Sequence, residues 1–132
     1  MQIREFTASD LDAVYRLLAA NGWSHRIPDE AFLARLIAAS EHAWVAVLDG
    51  EIAGFARALT DGLSNGYLSM VVVAAPFRGR GIGRALVEHI VGAEDSVTWV
   101  LRAGREGAPA FFAKLGFVHS TLAMERPRRA AY

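Results

Sequence analysis

The sequence predicts an α/β protein built on a mixed sheet. Apolar residues recur at helical spacing in the first forty positions, and the middle of the chain holds three strongly apolar strand patterns. A glycine-rich turn then separates the most apolar of these strands from an amphipathic helix. Together with the remaining elements, these observations predict the order β-α-α-β-β-β-α-β-α-β.

The first third of the chain predicts one strand and two helices. Residues 2–6 alternate polar and apolar side chains, as a short strand does. Thr7 or Ser9 is a cap for the following helix, which ends at Gly22, a residue that favours a left-handed cap. Residues 23–28 are a loop, and residues 29–40 form the second helix.

The middle of the chain predicts an antiparallel hairpin and a buried strand. Residues 43–48 and 52–60 are strands joined by Asp49-Gly50, a pair typical of tight hairpin turns. Residues 67–73 are nearly all apolar, which favours burial on both faces of a fourth strand.

The last third alternates helices and strands. Residues 82–93 form a helix and residues 97–101 a fifth strand. Pro109 suits the first turn of a short helix that runs through Lys114. Residues 117–125 are predicted to form the final strand.

Composition limits the class of protein. The 132 residues fit a single domain, 1–132, and 53% hydrophobic with 21% charged residues indicates a globular chain. Fourteen basic and fourteen acidic residues cancel, which argues against a nucleic-acid partner. No stretch of about 18 apolar residues and no signal-peptide pattern occurs, so we expect a cytoplasmic protein without a membrane partner.

The residue types also restrict the chemistry. The chain has no cysteine, which excludes disulfides, thiolate-bound metal and a cysteine acyl-enzyme. Its four histidines are scattered without the spacing of a helical zinc site, so no metal is expected.

Residues 72–86 are the most informative stretch, because they combine an apolar strand, a glycine-rich turn and the start of a helix. Glycines at alternate positions 79, 81 and 83 free the backbone amides to face one anion, at a helix N-terminus that favours a phosphate. Arg78, Arg80 and Arg84 add positive charge. The stretch therefore predicts a pyrophosphate site.

Two common phosphate loops do not fit this stretch. A nucleoside-triphosphate loop requires a lysine after its last glycine, and the only lysine in the chain is Lys114. A dinucleotide loop requires G-x-G-x-x-G, and Arg84 occupies the third glycine position. A nucleotide-binding module of the dinucleotide type is therefore disfavoured.

The pattern Arg78-x-x-Gly81-x-Gly83 resembles the coenzyme A signature of the GNAT N-acetyltransferase superfamily. Residues 110–117, AFFAKLGF, resemble that family's "FYeKLGF" segment, and residues 53–56, AGFA, resemble its third strand. The similarity covers residues 43–117. It implies a mainly antiparallel mixed sheet flanked by helices and an acetyl-CoA-dependent N-acetyltransferase whose primary amine attacks the thioester directly.

The resemblance also implies the residues that bind the cofactor. The backbone of the fourth strand would pair with the pantetheine arm, and the amides of residues 79–84 would hold the pyrophosphate. The implied acetyl-CoA site comprises Val71, Val72, Val73, Arg78, Gly79, Arg80, Gly81, Ile82, Gly83, Arg84 and Phe112. The acceptor would be a small-molecule or protein amine, and a homodimer stays open.

Two positions depart from the family pattern. Phe112 stands where many members have a tyrosine that protonates the thiolate, and Ser69 where many have a glutamate that deprotonates the amine. Asp61 and His25 are the candidate bases, although a turn aspartate and a surface histidine are the simpler interpretations. Trp23, Arg26 and Arg57 are candidates for the acceptor pocket. The departures leave open an alternative, a non-catalytic coenzyme A-binding or regulatory module of the same fold.

Overall fold

A computed structural model describes residues 1–92 and 95–130. The chain divides into two compact units, Met1–Leu101 and Arg102–Tyr132. Residues 102–130 of the second unit contain one helix, α4 (Ala108–Ala113). The elements of the first unit are, in order, β1 (Gln2–Glu5), α1 (Leu11–Leu18), α2 (Glu30–Ala38), β2 (His42–Leu48), β3 (Glu51–Thr60), β4 (Asn65–Val73), α3 (Ile82–Val91) and β5 (Thr98–Val100).

The five strands form one sheet in the order β1-β2-β3-β4-β5. The first four strands are antiparallel neighbours, and β5 runs parallel to β4. The hairpin between β2 and β3 turns at Asp49 (φ 53°) and Gly50 (φ 75°), both in the left-handed region, as predicted for an Asp-Gly turn. The predicted class, a mixed and mainly antiparallel sheet flanked by helices, is confirmed.

The two faces of the sheet bury different helices. Apolar residues of α1 and α2 pack on one face in a cluster that comprises Val14, Leu17, Leu18, Ile27, Leu33, Ile37, Val45, Phe55, Met70 and Val72. Side chains alternate across a strand, so Gly54 faces the opposite side from Phe55. A Cβ atom placed on Gly54 would lie 3.0 Å from Leu86 Cδ1 and 3.2 Å from Ile82 Cγ2, both on α3. Helix α3 therefore covers the other face, and it packs directly against the β3 backbone.

A buried carboxylate connects β1 to the start of α1. Asp10 is only 6% exposed, and its two oxygens accept hydrogen bonds from Arg4 NH1 and NH2 at 2.8 and 3.0 Å. The backbone N–H of Thr7 also donates to Asp10 Oδ2 at 2.9 Å. The hydrogen bond from Arg4 is the main cause that lowers the pKa of Asp10, and the Thr7 bond acts in the same direction.

The structure changes the predicted end of the first helix. Helix α1 stops at Leu18, and a π-helical turn, Ala19–Trp23, replaces the last turn that the apolar pattern predicts. Within that turn Asn21 (φ −120°, ψ 29°) and Gly22 (φ 90°) leave helical geometry. Gly22 thus adopts the left-handed conformation expected of it, one turn beyond the end of the α-helix.

The predicted final strand is wrong: residues 117–125 contain no strand. The hydroxyl of Ser120 accepts hydrogen bonds from the amides of Leu122 and Ala123 at 3.0 and 2.9 Å, which turns the backbone out of an extended path. The apolar side chains of this segment are consequently exposed, at 88% for Val118, 89% for Leu122 and 98% for Met124. The predicted end of the third helix at Ala93 lies outside the described residues.

Candidate active site

The connection between β4 and α3 has the geometry of an anion site. A 3-10 turn, Ala75–Phe77, leads to Arg78 in extended conformation, and Gly81 (φ 81°, ψ 11°) is the N-cap of α3. The amide of Ala85 donates to Gly81 O at 3.0 Å and closes the first turn. The first amides of α3 and the positive end of its helix dipole point at the same volume, beyond the N-terminus of the helix.

Gly79 and Gly81 are required by backbone conformation. Both have φ near +80°, a region that other residues enter only with strain. A Cβ atom on either residue would meet no atom of residues 1–92 and 95–130 within 4 Å. The space beside them is therefore open, and a ligand can approach this backbone from that side.

The three arginines near this connection differ in what they contact. Arg78 Nε donates to Val73 O at 3.0 Å, and its NH2 donates to Asn21 Oδ1 in the α1–α2 loop (residues 19–29). Arg84 pairs with Glu88 at 2.9 Å, one turn along α3. Arg80 lies over the ring of Phe77, 5.7 Å from its centroid. Because Arg78 and Arg84 are engaged with a carbonyl and a carboxylate oxygen, Arg80 is the best placed of the three to attract a phosphate.

Strand β4 has an edge that β5 covers only in part. The two strands pair at Asn65, Gly66 and Tyr67 of β4. Beyond Tyr67, no strand of described residues 1–92 and 95–101 pairs with that edge of β4. The residues that follow, including Val71–Val73, therefore present a backbone edge to which an extended chain can add, and on that edge the carbonyl of Val73 already accepts from Arg78 Nε.

A β-bulge lies in the middle of β4, and no local sequence pattern predicts it. Phe55 is opposite Val72 and Arg57 opposite Ser69, so β4 contains one more residue than β3 between these pairs. Met70 lies there with φ 55°, a conformation that few non-glycine residues adopt, and its side chain is only 5% exposed. Burial in the apolar cluster holds Met70 in this strained conformation.

The α1–α2 loop contains three of the predicted site residues. Trp23 is half-buried and packs against the apolar cluster of α1 and α2. Arg26 donates from its backbone N–H to Trp23 O at 2.9 Å and from Nε to Nε2 of the exposed His25 at 3.3 Å. Ile27, 1% exposed, fixes the end of this stretch in the core.

Arg57 is buried, 7% exposed, on the sheet face that α1 and α2 cover. Its Nε donates to the hydroxyl of Ser40 at 2.9 Å, and that hydroxyl donates to Leu36 O at 2.7 Å. Arg57 therefore connects β3 to the end of α2. Ser69 is its partner in register on β4, so the serine at the usual base position and this guanidinium lie on the same face.

Asp61 lies in the exposed turn between β3 and β4. Its Oδ1 accepts hydrogen bonds from the amides of Leu63, Ser64 and Asn65 at 2.8, 2.7 and 3.1 Å. These bonds, with that of Ser64 the largest cause, lower the pKa of Asp61. A carboxylate stabilised in this way accepts a proton less readily, which weakens the case for Asp61 as a base.

Phe112 lies on α4, in the second unit. Its ring makes edge contacts with those of Phe111 and Phe117, at centroid distances of 4.9 and 5.6 Å. Its carbonyl accepts from the amides of Leu115 and Phe117 at 2.9 and 3.1 Å. Phe112 thus organises an aromatic cluster at the end of α4.

The described residues contain neither a cluster of metal ligands nor a helix that could span a membrane. Among residues 1–92 and 95–130, no three histidine, aspartate or glutamate side chains come together as metal ligands would. Within the same described residues, no helix has the length and apolar character needed to cross a membrane.

The left-handed glycine turn at the start of α3 thus follows a strand whose edge is covered only in part. The sequence model of the Acetyltransferase (GNAT) family matches residues 6–117. The chain belongs to that family.

Known proteins agree with this assignment. A 60-residue stretch is 37% identical to the N-alpha-acetyltransferase MAK3 of Arabidopsis thaliana, and the match covers 42% of this chain and 32% of that protein. The chain thus spans about a third of the length of this curated relative.

Solved structures resemble the whole chain. A GNAT-family protein of Xanthomonas campestris pv. campestris is 25% identical with a TM-score of 0.78, covering 97% of this chain and 94% of that one. An acetyltransferase of Trypanosoma brucei is 26% identical with a TM-score of 0.71, covering 99% of both chains. Ard1 of Thermoplasma volcanium, at 24% identity and a TM-score of 0.75 over 91% and 84%, shares the fold.

Proposed function

We propose that the protein transfers the acetyl group of acetyl-CoA to a primary amine. The observation that carries the proposal is the succession of two backbone sites along the chain. The partly uncovered edge of β4 ends at Val73, and the amides of the glycine turn and the start of α3 follow within ten residues. Coenzyme A has a pantetheine arm with amide groups and a pyrophosphate, and it suits these two sites in that order.

The chain's own groups would bind and orient the donor. The backbone of Val71–Val73 pairs with the pantetheine arm as an added strand would. The amides of residues 79–84 hold the pyrophosphate, and Arg80 adds charge attraction. Since most of these contacts come from the backbone, they depend on conformation more than on side-chain type.

The transfer itself needs a neutral amine beside the thioester. The amine nitrogen forms a bond to the acetyl carbon, the carbon–sulfur bond breaks, and the sulfur leaves with the electron pair. The proton lost by the amine passes to a base or to water. A thiol has a pKa of about 8.5, so its thiolate leaves at neutral pH without an acid. The phenylalanine at position 112 is compatible with such a departure.

We further propose that the preferred acceptor is an α-amino group, as of a peptide N-terminus. An ε-amine with a pKa of about 10.4 is neutral in roughly one molecule per thousand at pH 7.4, a cost of about 4 kcal/mol. An α-amine with a pKa of about 7.8 is neutral in roughly a quarter of molecules, a cost below about 1 kcal/mol. Ser69 offers no base, so the weaker amine suits this site. The N-alpha-acetyltransferase relative supports the same choice.

His25 is the side chain we propose to assist deprotonation. It is exposed on the α1–α2 loop, beside Trp23 and Arg26, which we propose as acceptor contacts. Asp61 remains a second candidate, although its carboxylate oxygen is committed to three amides. Arg57 belongs to the proposed acceptor side because it faces the same direction as Ser69.

The alternative is a coenzyme A-binding module without catalysis, which the residues at positions 69 and 112 favour. Both functions predict that acetyl-CoA at about 100 times its Kd stabilises the fold by roughly 2.7 kcal/mol. Thiol release separates them, measured with peptides that carry a free N-terminus and matched peptides that carry only a lysine amine. Release with the free N-terminus, at a kcat/KM about 100 times that of the lysine peptide, supports the proposal. Binding without release from either peptide would favour the module.

A further inference from the structure

Arg78 is the first residue of the glycine motif, and its guanidinium contacts two other parts of the first unit. Nε donates to Val73 O at the end of β4, and NH2 donates to Asn21 Oδ1 in the α1–α2 loop. Asn21 in turn donates from Nδ2 to Leu17 O at 2.8 Å, in the last turn of α1. Residues 57 positions apart in sequence are thus connected side chain to side chain.

These bonds act where the backbone is irregular. Asn21 and Gly22 lie outside helical geometry, at the point where α1 gives way to the loop that carries Trp23, His25 and Arg26. An irregular segment of this kind has few backbone bonds of its own, so side-chain bonds have a large influence on its position. The guanidinium is planar and charged, and it holds both partners in a fixed relative geometry.

We propose that Asn21 is a positioning residue, which holds the α1–α2 loop against the end of β4 through Arg78. The consequence of this inference for the reaction rests on the proposed function, because the loop carries the proposed acceptor contacts. Arg78 lies three residues before Gly81, in the proposed donor site. Binding of coenzyme A orders residues 78–81, and the Arg78–Asn21 bond transmits that order to the loop. Cofactor binding therefore prepares the acceptor side.

Hydrogen exchange on the full chain tests directly whether Asn21 holds the α1–α2 loop in place. Asn21→Ala removes the acceptor for Arg78, and we expect exchange in residues 22–27 to rise about fivefold or more. Asn21→Asp is the matched control. It keeps an oxygen for Arg78, in a charge-assisted bond, but loses the donor to Leu17, and we expect exchange within about twofold of wild type. Exchange in β3 serves as the folding control in both variants.

A second measurement tests whether binding of coenzyme A influences the α1–α2 loop. In wild type, saturating coenzyme A should slow exchange in residues 22–27, whereas in Asn21→Ala that slowing should disappear while the Kd measured by calorimetry changes less than about threefold. Arg78→Ala combined with Asn21→Ala should accelerate exchange no more than Asn21→Ala alone, because both remove the same bond.

Two results would overturn the inference. Unchanged exchange in Asn21→Ala would show that the loop holds its position without this bond. Equal acceleration in Asn21→Ala and Asn21→Asp would assign the effect to the bond with Leu17. If wild-type protein fails to bind coenzyme A, the proposed function fails, but exchange in the free protein still decides the role of Asn21.

Discussion

The β4–α3 connection and the α1–α2 loop both belong to the proposed active site. The connection would contribute backbone groups, whereas the loop would contribute side chains. In the connection, the proposed donor contacts come from φ angles, backbone amides and a strand edge. In the loop, the proposed acceptor contacts are the side chains of Trp23, His25 and Arg26. We therefore propose that donor binding depends on backbone conformation, whereas acceptor choice depends on residue type.

The largest expected effect tests whether the glycine turn before α3 binds coenzyme A through its backbone. Gly81→Glu forces a side chain into the left-handed region and places a negative charge beside the pyrophosphate, so coenzyme A affinity should fall by at least about 100-fold, or about 2.7 kcal/mol. Calorimetry on the folded variant measures the loss. Gly50→Glu is the matched control, because Gly50 has a similar φ of 75° in the β2–β3 hairpin. Wild-type affinity in Gly81→Glu would refute this account of the turn.

The second prediction concerns the buried ion pair of Asp10 and Arg4, which stabilises the start of α1. Asp10→Asn should lower the free energy of unfolding by about 2 kcal/mol at pH 7, because it weakens a buried, charge-assisted pair with Arg4. The pKa of Asp10 is lowered in the folded state, so this stability is complete above its ordinary pKa and is lost as the pH falls through the lowered value. Urea denaturation of variant and wild type should therefore converge in strong acid.

Asp12→Asn serves as the control for Asp10→Asn. Asp12 pairs with Arg16 one turn along α1, with the two side chains 68% and 72% exposed. Such a pair contributes little, so the change should stay within about 0.5 kcal/mol. An equal loss of unfolding free energy in both variants would mean that the burial of Asp10 does not strengthen its pair with Arg4.

The third prediction divides the role of base between two candidates. His25→Gln should lower kcat/KM for a peptide amine about tenfold near pH 7, with a smaller deficit at high pH where the amine is already neutral. Asp61→Asn should change kcat/KM less than about threefold, since asparagine keeps an oxygen for the turn amides. A loss near 100-fold in Asp61→Asn, with His25→Gln unaffected, would return the role to Asp61.

The smallest expected effect tests how the ion pair of Arg84 and Glu88 on α3 influences coenzyme A affinity. Glu88→Gln removes the negative partner of Arg84, and coenzyme A affinity should rise about twofold at low salt. The gain should vanish at high ionic strength, because the pair is exposed. Calorimetric titrations at two salt concentrations measure it, and a gain that persists in high salt would point to a change of structure.

The two regions also differ in how well the sequence predicted them. The glycine turn and the start of α3 lie where the motif predicts, because only glycine accepts the φ values that Gly79 and Gly81 adopt. Met70 has an equally unusual φ of 55°, but methionine carries no local preference for it. Its conformation follows from packing against distant residues, which no local pattern contains. Asn21 was missed for the same reason, since its partner Arg78 lies far along the chain.

The same limit explains the wrong final strand. Residues 117–125 contain several apolar side chains, but a strand also needs a neighbour to pair with, and no local pattern shows whether that neighbour exists. Ser120 instead bonds the amides of Leu122 and Ala123. The hairpin at Asp49 and Gly50, in contrast, depends on two adjacent residues and was predicted correctly.

Gly54 determines the separation between the two backbone sites for the donor. It pairs with Val73, the last residue of β4, and a Cβ atom on it would press on Val72 O at 3.0 Å and on Ile82, the first residue of α3. The absence of a side chain at position 54 thus lets α3 lie close to the end of β4. A larger residue there would push the helix away and so change the distance between the two proposed donor sites without touching either of them.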